Sequence, residues 1–247
     1  MKATKLLPVR PEAAASRGGQ EEARIVAAYA RRRTSADAAR YSCFDPANLA
    51  SIQDRERRTL CLLERRGFRP LQTKRILEVG CGAGHWIRAF IQWGAAPENL
   101  TGVDLLPDRV AEAQRLCPSG VRLECGSAAE LAFPDDAFDI VLQSTVFTSI
   151  LDADLKQRVA QEMLRVVKPE GAILWYDFRV NNPRNPDVRG VRMSEIRRLF
   201  SGCQIQLKAI TLAPPLARRL AVFSPLACDL LARIPWVCTH YVGLIRK

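Results

Sequence analysis

The chain has 247 residues, of which 48% are hydrophobic, and a formal net charge of +11. This length and apolar content favour one large domain with appendages and exclude a chain that is disordered throughout. The N-terminus lacks the apolar core of a secretory signal. Two prolines and two charged residues interrupt the most apolar stretch, "LAVFSPLACDLLARIPWVC", so no membrane-spanning helix is expected.

The charge is unevenly distributed along the chain. Residues 1–75 carry 17 Lys+Arg against 8 Asp+Glu (+9), residues 76–178 carry 8 against 15 (−7), and residues 179–247 carry 12 against 3 (+9). An acidic middle argues against a nucleic-acid reader, which gathers positive charge on the fold that does the reading. The basic flanks could face an anionic substrate, a phospholipid surface or RNA, or could be solvated helix faces.

The eight cysteines include no C-x-x-C pair, and the two histidines, His85 and His240, lie far apart in the sequence. This spacing predicts neither a metal site nor a disulfide framework. We expect a cytoplasmic chain with reduced, buried thiols.

The expected elements begin with a disordered tail over residues 1–20, which are rich in Ala, Gly, Arg and Pro without a sustained period. Accessory helices are expected within residues 21–69, at about 21–33 and 46–66, where apolar residues recur at helical spacing. Over residues 70–247, strand-like and helix-like segments alternate. This alternation predicts an α/β domain with a Rossmann-like, doubly wound, mostly parallel seven-stranded sheet.

The strands are expected at "RILEVG", "LTGVD", "VRLECG", "FDIVLQS", "GAILWYDF", "CQIQLKAIT" and "HYVGLIRK". Residues 213–237 are expected to form an apolar, proline-interrupted helical cap inserted before the last strand. This segment mixes Leu, Phe and Trp with Arg218, Arg219 and Arg233, which is the composition of a helix lying in a membrane interface. Burial against the sheet is the alternative.

Three glycines, Gly80, Gly82 and Gly84, follow the first strand in "KRILEVGCGAGHW". Ligands of open parallel sheets bind beyond the carboxyl ends of the strands, and missing side chains let the backbone approach them closely. A dinucleotide fingerprint, G-x-G-x-x-G, would place its third glycine at position 85, where this chain has His85. The spacing therefore disfavours a dinucleotide.

Two acidic residues narrow the ligand further. Glu78 ends the first strand, where it would repel a pyrophosphate. Asp104 ends the second strand, 20 residues after Gly84, where a carboxylate can accept both hydroxyls of a ribose. A nucleoside without phosphates that carries a cationic amino-acid tail suits all of these features.

Four segments, "ILEVGCGAG", "LTGVDLLPDRV", "AAELAFPDDAFDIVLQS" and "EMLRVVKPEGAIL", resemble the successive motifs of the class I S-adenosylmethionine (SAM)-dependent methyltransferases. The resemblance covers roughly residues 70–180. It looks most like the small-molecule branch that includes ubiquinone and menaquinone methyltransferases. It implies SAM as the cofactor and methyl transfer by in-line displacement.

The resemblance also implies which residues contact the cofactor. The family often has an acidic residue after the third strand to hold the adenine amine, and here Ser127 and Ala128 stand there, so a hydroxyl or backbone groups would substitute. Tyr41 would close over the carboxylate of the cofactor. The complete expected set is Tyr41, Glu78, Gly80, Cys81, Gly82, Gly84, Trp86, Asp104, Leu105, Ser127, Ala128, Gln143 and Ser144.

The acceptor side is expected beyond the fourth and fifth strands. Asp177 and His240 are candidate general bases for an acceptor that holds its proton at neutral pH, and a structural role is the alternative for His240. The loop "RVNNPRNPDVRG" offers guanidinium groups suited to phosphate or carboxylate, or is a surface turn. The expected substrate residues are Thr145, Arg179, Asn181, Asn182, Arg184 and Arg189.

The expected function is methyl transfer from SAM to a small-molecule or lipid- or glycan-linked biosynthetic acceptor, which the basic flanks would attract if it is anionic. Contact with the inner membrane surface is left open. An RNA or protein methyltransferase is disfavoured because there is no Asn-Pro-Pro-aromatic tetrad and no dedicated RNA-binding module. A catalytically silent binding protein with this fold is disfavoured because the glycines and Asp104 are intact.

Overall fold

The structure, a computed structural model, describes residues 17–33, 42–183, 185–221 and 230–247. Tyr41 and Arg184 lie outside the described residues, as do most of the expected N-terminal tail and part of the expected cap. In the part of the chain that is described, no helix is both long and apolar enough to cross a bilayer.

A seven-stranded sheet forms the centre of the molecule, with the strand order β3-β2-β1-β4-β5-β7-β6. β7 runs antiparallel to β5 and β6, and the other neighbouring strands are parallel, so the expected mostly parallel sheet is confirmed. The strands are β1 (Ile76–Val79), β2 (Leu100–Asp104), β3 (Arg122–Cys125), β4 (Phe138–Ser144), β5 (Val167–Phe178), β6 (Gln204–Leu212) and β7 (Cys238–Arg246).

Helices cover both faces of the sheet, as parallel strands require. Alternate residues of β1 enter different layers, since Ile76 packs with Trp86 and Phe90 while Leu77 packs on the side of Phe147. The helices are α1 (Arg17–Arg33), α2 (Pro46–Arg65), α3 (His85–Gln92), α4 (Pro107–Leu116), α5 (Ala153–Val166), α6 (Met193–Leu199) and α7 (Pro214–Ala221).

The first turns of the two accessory helices make different contacts. The Asp45 carboxylate caps α2 by accepting the N–H groups of Ala47 and Asn48 at 2.8 and 3.0 Å. The described part of α1 starts at Arg17, four residues before the expected start, and Gly18 packs against the guanidinium group of Arg158 of α5. Residues 17–20, which we expected in the tail, belong to this helix.

The carboxyl edge of the sheet gathers the segments that matter for function. The glycine turn follows β1 there, and β2, β3 and β4 end beside it. β6 points the same way as β5, because both run antiparallel to β7. The segment after Leu212 therefore also leaves the sheet at this edge, where Ala217 and Ala232 pack against Ala47 of α2.

The cysteines follow the expectation only in part. All seven described cysteines are free, and Cys81, Cys117 and Cys238 are buried. The expectation of buried thiols is wrong for Cys43, Cys61 and Cys125, which are exposed. Cys43 precedes α2, Cys61 lies on the outer surface of α2, and Cys125 ends the edge strand β3.

Candidate functional site

A cleft with a volume of about 250 Å³ opens at the carboxyl edge of the sheet, between the glycine turn, the ends of β2 to β4, and α1. Helix α1 supplies three lining residues that the sequence did not indicate, Glu22, Ile25 and Tyr29. Eight residues expected from the sequence also line the cleft: Gly80, Gly82, Asp104, Leu105, Ser127, Ala128, Ser144 and Thr145.

The three glycines of the turn have different physical roles. All have positive φ angles, which L side chains rarely adopt. A Cβ on Gly80 would lie 2.4 Å from Val146 Cγ2, and one on Gly84 would lie 2.6 Å from Cys117 Sγ, so these two permit close packing. A Cβ on Gly82 would meet nothing within 4 Å. Of the three, Gly82 is therefore the position that keeps space free for a ligand.

Asp104 joins the two turns that border the cleft. Its Oδ2 accepts the N–H of Gly82 at 2.8 Å, and its Oδ1 accepts the N–H of Leu106 at 2.9 Å. Burial raises the pKa of this carboxyl, and the two backbone N–H groups oppose that rise. Because each carboxylate oxygen can accept a second hydrogen bond, Asp104 keeps acceptor capacity for a ligand.

A carboxylate from α1 lies beside Ser127, where the family often has an acidic residue after the third strand and we expected a hydroxyl or backbone groups instead. Ser127 Oγ donates a hydrogen bond to Glu22, and the same Oγ accepts the N–H of Ala129 at 3.1 Å. Both Ser127 and Glu22 line the cleft. The chain therefore places an acid beside Ser127 from a helix more than 100 residues away in sequence.

Polar contacts from three residues hold α1 over the cleft. Arg24 donates to the carbonyl oxygen of Ser149 at 2.6 Å, and Tyr29 Oη lies 3.2 Å from Ser149 Oγ. Glu21 accepts the N–H groups of Leu151 and Asp152. Since the 149–152 segment connects the cleft to α5, α1 is a fixed wall of the cleft.

The remaining described cofactor candidates lie behind the cleft and do not line it. Cys81 and Trp86 are buried in the layer beneath the glycine turn. Gln143 is buried, and its Oε1 accepts the N–H of Val146 at 3.1 Å. Glu78 is buried, and its pKa is raised well above the usual range by desolvation and by the nearby Asp104.

Asp177 does not face the crevice, so that expectation needs correction. Its side chain is fully buried, and its oxygens accept hydrogen bonds from the Thr148 hydroxyl, from the Thr148 N–H at 3.2 Å and from the Phe178 N–H at 2.8 Å. Burial raises the pKa of Asp177 to about 6. The geometry therefore favours a role in holding the 147–149 turn.

His240 is packed among aromatic rings. Its ring stacks on Tyr176 with centroids 4.7 Å apart and contacts Phe178 at 3.8 Å, and its Nδ1 lies 2.9 Å from the Thr239 hydroxyl. Burial, with the positive charge of Arg55, lowers the pKa of His240 to about 3. An imidazole with this pKa is neutral and a weak base at pH 7, which favours the structural alternative.

A second, arginine-lined cavity of about 360 Å³ lies beyond β5, where Asn181 and Arg189 meet Arg192 and Arg198. Its carboxylate, Glu195, lies 2.9 Å from the buried Nζ of Lys156 and 3.5 Å from Arg189, so the cavity keeps an excess of positive charge. Two expected substrate residues lie elsewhere, since Arg179 donates to the Pro235 carbonyl at 2.8 Å and Asn182 is exposed on the loop.

Comparisons with known proteins agree with this geometry. A family model described as "Methyltransferase domain" matches residues 76–171. A ubiquinone biosynthesis O-methyltransferase of Azorhizobium caulinodans is 37% identical over 112 residues, or 44% of this chain and 42% of that protein. A 2-methyl-6-phytyl-1,4-hydroquinone methyltransferase of Synechocystis is 34% identical, over 44% of this chain and 33% of that protein.

A tRNA N(3)-cytidine methyltransferase of Gallus gallus is 33% identical, over 42% of this chain and 30% of that protein. The chain therefore spans less than half the length of these three relatives. Among solved structures, YcgJ of Bacillus subtilis superposes with a TM-score of 0.52 at 22% identity, covering 75% of this chain and 97% of YcgJ. A SAM-dependent methyltransferase of Archaeoglobus fulgidus gives 0.54 at 17% identity, covering 79% and 98%.

Proposed function

We propose that this chain, a member of the class I SAM-dependent methyltransferase superfamily, transfers a methyl group from SAM to a small-molecule, quinone-type biosynthetic acceptor. The observation that carries the cofactor assignment is Gly82. It lines the cleft, bonds to Asp104 through its N–H, and has open space where a side chain would begin. A ligand can therefore lie directly against this turn.

The cleft residues suit the chemistry of a nucleoside with an amino-acid tail. Asp104 would accept the ribose hydroxyls through its remaining lone pairs. The carboxylate of Glu22, positioned by Ser127, would accept the amine of the adenine, while Leu105 and Ala128 offer apolar contact to the ring. SAM supplies a sulfonium methyl group that is already activated for displacement.

The protein contributes position and exclusion of water. Ser144 and Thr145 end β4 in the wall of the cleft, and Thr145 has a φ of 60°, which is uncommon outside glycine. The Thr145 N–H donates to the Tyr176 carbonyl at 2.8 Å, so this strained turn is fixed to β5. Aligning an acceptor beside such a rigid wall can supply roughly 7–11 kcal/mol of the barrier reduction.

Neither expected base is available in the cleft, because Asp177 is buried on Thr148 and His240 is buried among aromatic rings with its pKa lowered to about 3. This favours an acceptor that needs little help to lose a proton. Aromatic hydroxyls titrate near pH 10, far below aliphatic alcohols, and the relatives act on ubiquinone precursors and a phytyl hydroquinone by name. A carboxylate or phosphate on such an acceptor would suit the arginine-lined cavity.

The test is transfer of labelled methyl from SAM to defined acceptor pools. We expect label in an extract of hydroquinones and phenolic quinone precursors, and none with Gly82→Val, which fills the cleft. Transfer RNA is the parallel arm, because one relative is a tRNA methyltransferase. Label in RNA alone would overturn the acceptor assignment, and the absence of SAM binding would overturn the whole proposal.

A further inference from the structure

Large apolar side chains are exposed just before α2 and in the two segments that pack beside it, α7 and residues 230–237. The exposed fractions are 98% for Phe44, 92% for Trp236, 53% for Leu230, 44% for Ile234 and 39% for Leu216. We call these five residues the apolar face. They include the two most exposed large apolar residues of the described chain.

Packing brings these residues to one end of the molecule. A small cluster joins Ala47 of α2 to Leu212, Ala217 and Ala232, with Val237 packed on it. Phe44 lies three residues before Ala47, Leu216 adjoins Ala217, Leu230 and Ile234 lie two residues either side of Ala232, and Trp236 adjoins Val237. Three of the four buried residues of this cluster are alanines while larger apolar side chains nearby face solvent, and exposed apolar patches of this kind are typical of an interaction surface.

Positive charge surrounds the apolar face. Arg218, Arg219 and Arg233 come from the same segments and are exposed. The C-terminal part to which they belong, residues 179–247, has 12 Lys+Arg against 3 Asp+Glu. Leu and Trp side chains bordered by arginines match an anionic lipid surface, in which the apolar groups enter the headgroup region and the guanidinium groups bind phosphates.

The apolar face lies at the carboxyl edge of the sheet, the same edge as the cleft. The chain leaves this edge at Leu212, the last residue of β6, and Arg179 at the end of β5 donates to the Pro235 carbonyl at 2.8 Å. A surface that binds at this edge would bring the acceptor side of the protein close to whatever it binds.

We infer that the apolar face docks on an anionic lipid bilayer, with Trp236 and Phe44 among the headgroups and the three arginines on the lipid phosphates. The contact is peripheral. It gives the enzyme access to acceptors dissolved in the bilayer, and it is independent of which acceptor is methylated.

Flotation of the full chain with vesicles tests this inference. We expect binding to vesicles of phosphatidylcholine and phosphatidylglycerol at low salt, weaker binding at high salt, and a blue shift of tryptophan emission. Phe44→Ala with Trp236→Ala should weaken binding at least ten-fold. Arg218→Glu with Arg219→Glu should weaken it at least 25-fold, since each arginine near an anionic surface is worth about five-fold.

The matched control is Leu116→Ala with Arg115→Glu, which removes an exposed leucine and an exposed arginine from α4. It should float like wild type. Each variant should retain binding of S-adenosylhomocysteine, which separates this inference from the proposed function. Failure of wild type to float, or equal losses in the control, would overturn it. If wild type does not bind vesicles but forms dimers that Trp236→Ala abolishes, a second copy of the chain, and not a bilayer, covers the apolar face.

Discussion

At the scale of single residues, the carboxylates of this protein divide by what they touch. Among the described residues, Glu22 and Asp104 are the acids that line the cleft, and each is positioned by a neighbouring hydrogen-bond donor. Asp177 is buried with its oxygens on backbone and hydroxyl donors of the same chain. Glu22 and Asp104 are therefore positioned to bind a ligand, whereas Asp177 stabilises the fold.

The role of Glu22 predicts a loss of base discrimination. Glu22→Ala should weaken S-adenosylhomocysteine binding by roughly 10- to 100-fold, the effect of a hydrogen bond to a charged group. It should weaken binding of the inosine analogue much less, because a 6-oxo group has no amine to donate. Calorimetry with both ligands measures this. Glu170→Ala, an exposed acid outside the cleft, is the control; an unchanged preference for adenine in Glu22→Ala would contradict the assignment.

The buried carboxyl of Asp177 predicts a pH dependence of stability. Its pKa is about 6 in the folded protein and about 3.9 when unfolded, so the folded state holds the proton more tightly. The contribution of Asp177 to the free energy of unfolding should therefore fall as the pH rises from about 4 to about 6. Urea unfolding should show the stability advantage of wild type over Asp177→Asn shrinking across this range.

Two results would contradict this reading of Asp177. A stability advantage of wild type over Asp177→Asn that grows with pH would show that folding lowers the pKa of Asp177 instead of raising it. A 10²- to 10⁴-fold loss of methyl transfer with unchanged stability would instead identify Asp177 as the general base.

At the scale of elements, α1 completes the cleft from outside the sheet. It contributes Glu22, Ile25 and Tyr29, and the Arg24 contact with the Ser149 carbonyl at 2.6 Å fixes it there. Ile25 joins the main hydrophobic core, and further contacts that hold α1 are polar ones to residues 149–152. Cofactor affinity should therefore depend on how firmly α1 is docked.

Arg24→Ala tests this dependence. Loss of the Ser149 contact and of the Glu21 ion pair should weaken S-adenosylhomocysteine binding about ten-fold and speed hydrogen exchange of the amides in residues 17–33. Global stability should change little. Arg115→Ala, an exposed arginine of α4, is the control. Unchanged affinity together with faster exchange would show that α1 is dispensable for the ligand.

The strands β1, β2, β4 and β5 were predictable from sequence because buried parallel strands are apolar runs that end in glycine or a polar residue. The expectation for Asp177 was wrong although the alternation along β5 held the answer, since two-residue periodicity puts Asp177 on the face of Trp175, beneath the 147–149 turn. The position of Glu22 was not predictable, because no local pattern shows that α1 docks beside Ser127. Local sequence patterns therefore predicted these strands, whereas the contribution of α1 to the site depends on contacts between residues far apart in the sequence.

At the scale of the whole molecule, the acidic and basic parts of the sequence fall in different parts of the fold. The acidic part, residues 76–178, holds β1 to β5 and most of the cleft, while the basic part after residue 178 holds the arginine-lined cavity and the arginines beside the apolar face. Our proposals assign the carboxylates to the cationic cofactor and the guanidinium groups to an anionic acceptor or lipid.

The most direct measurement is titration calorimetry of S-adenosylhomocysteine and NAD with wild type and Gly82→Val. Wild type should bind S-adenosylhomocysteine with micromolar-range affinity and should not bind NAD, because the chain has His85 where a dinucleotide fingerprint has its third glycine. Gly82→Val should lose the ligand, because its side chain would occupy the cleft and its φ of 52° is unfavourable for a β-branched residue; circular dichroism checks that the variant stays folded. Tight NAD binding without S-adenosylhomocysteine binding, or full affinity in Gly82→Val, would contradict the account.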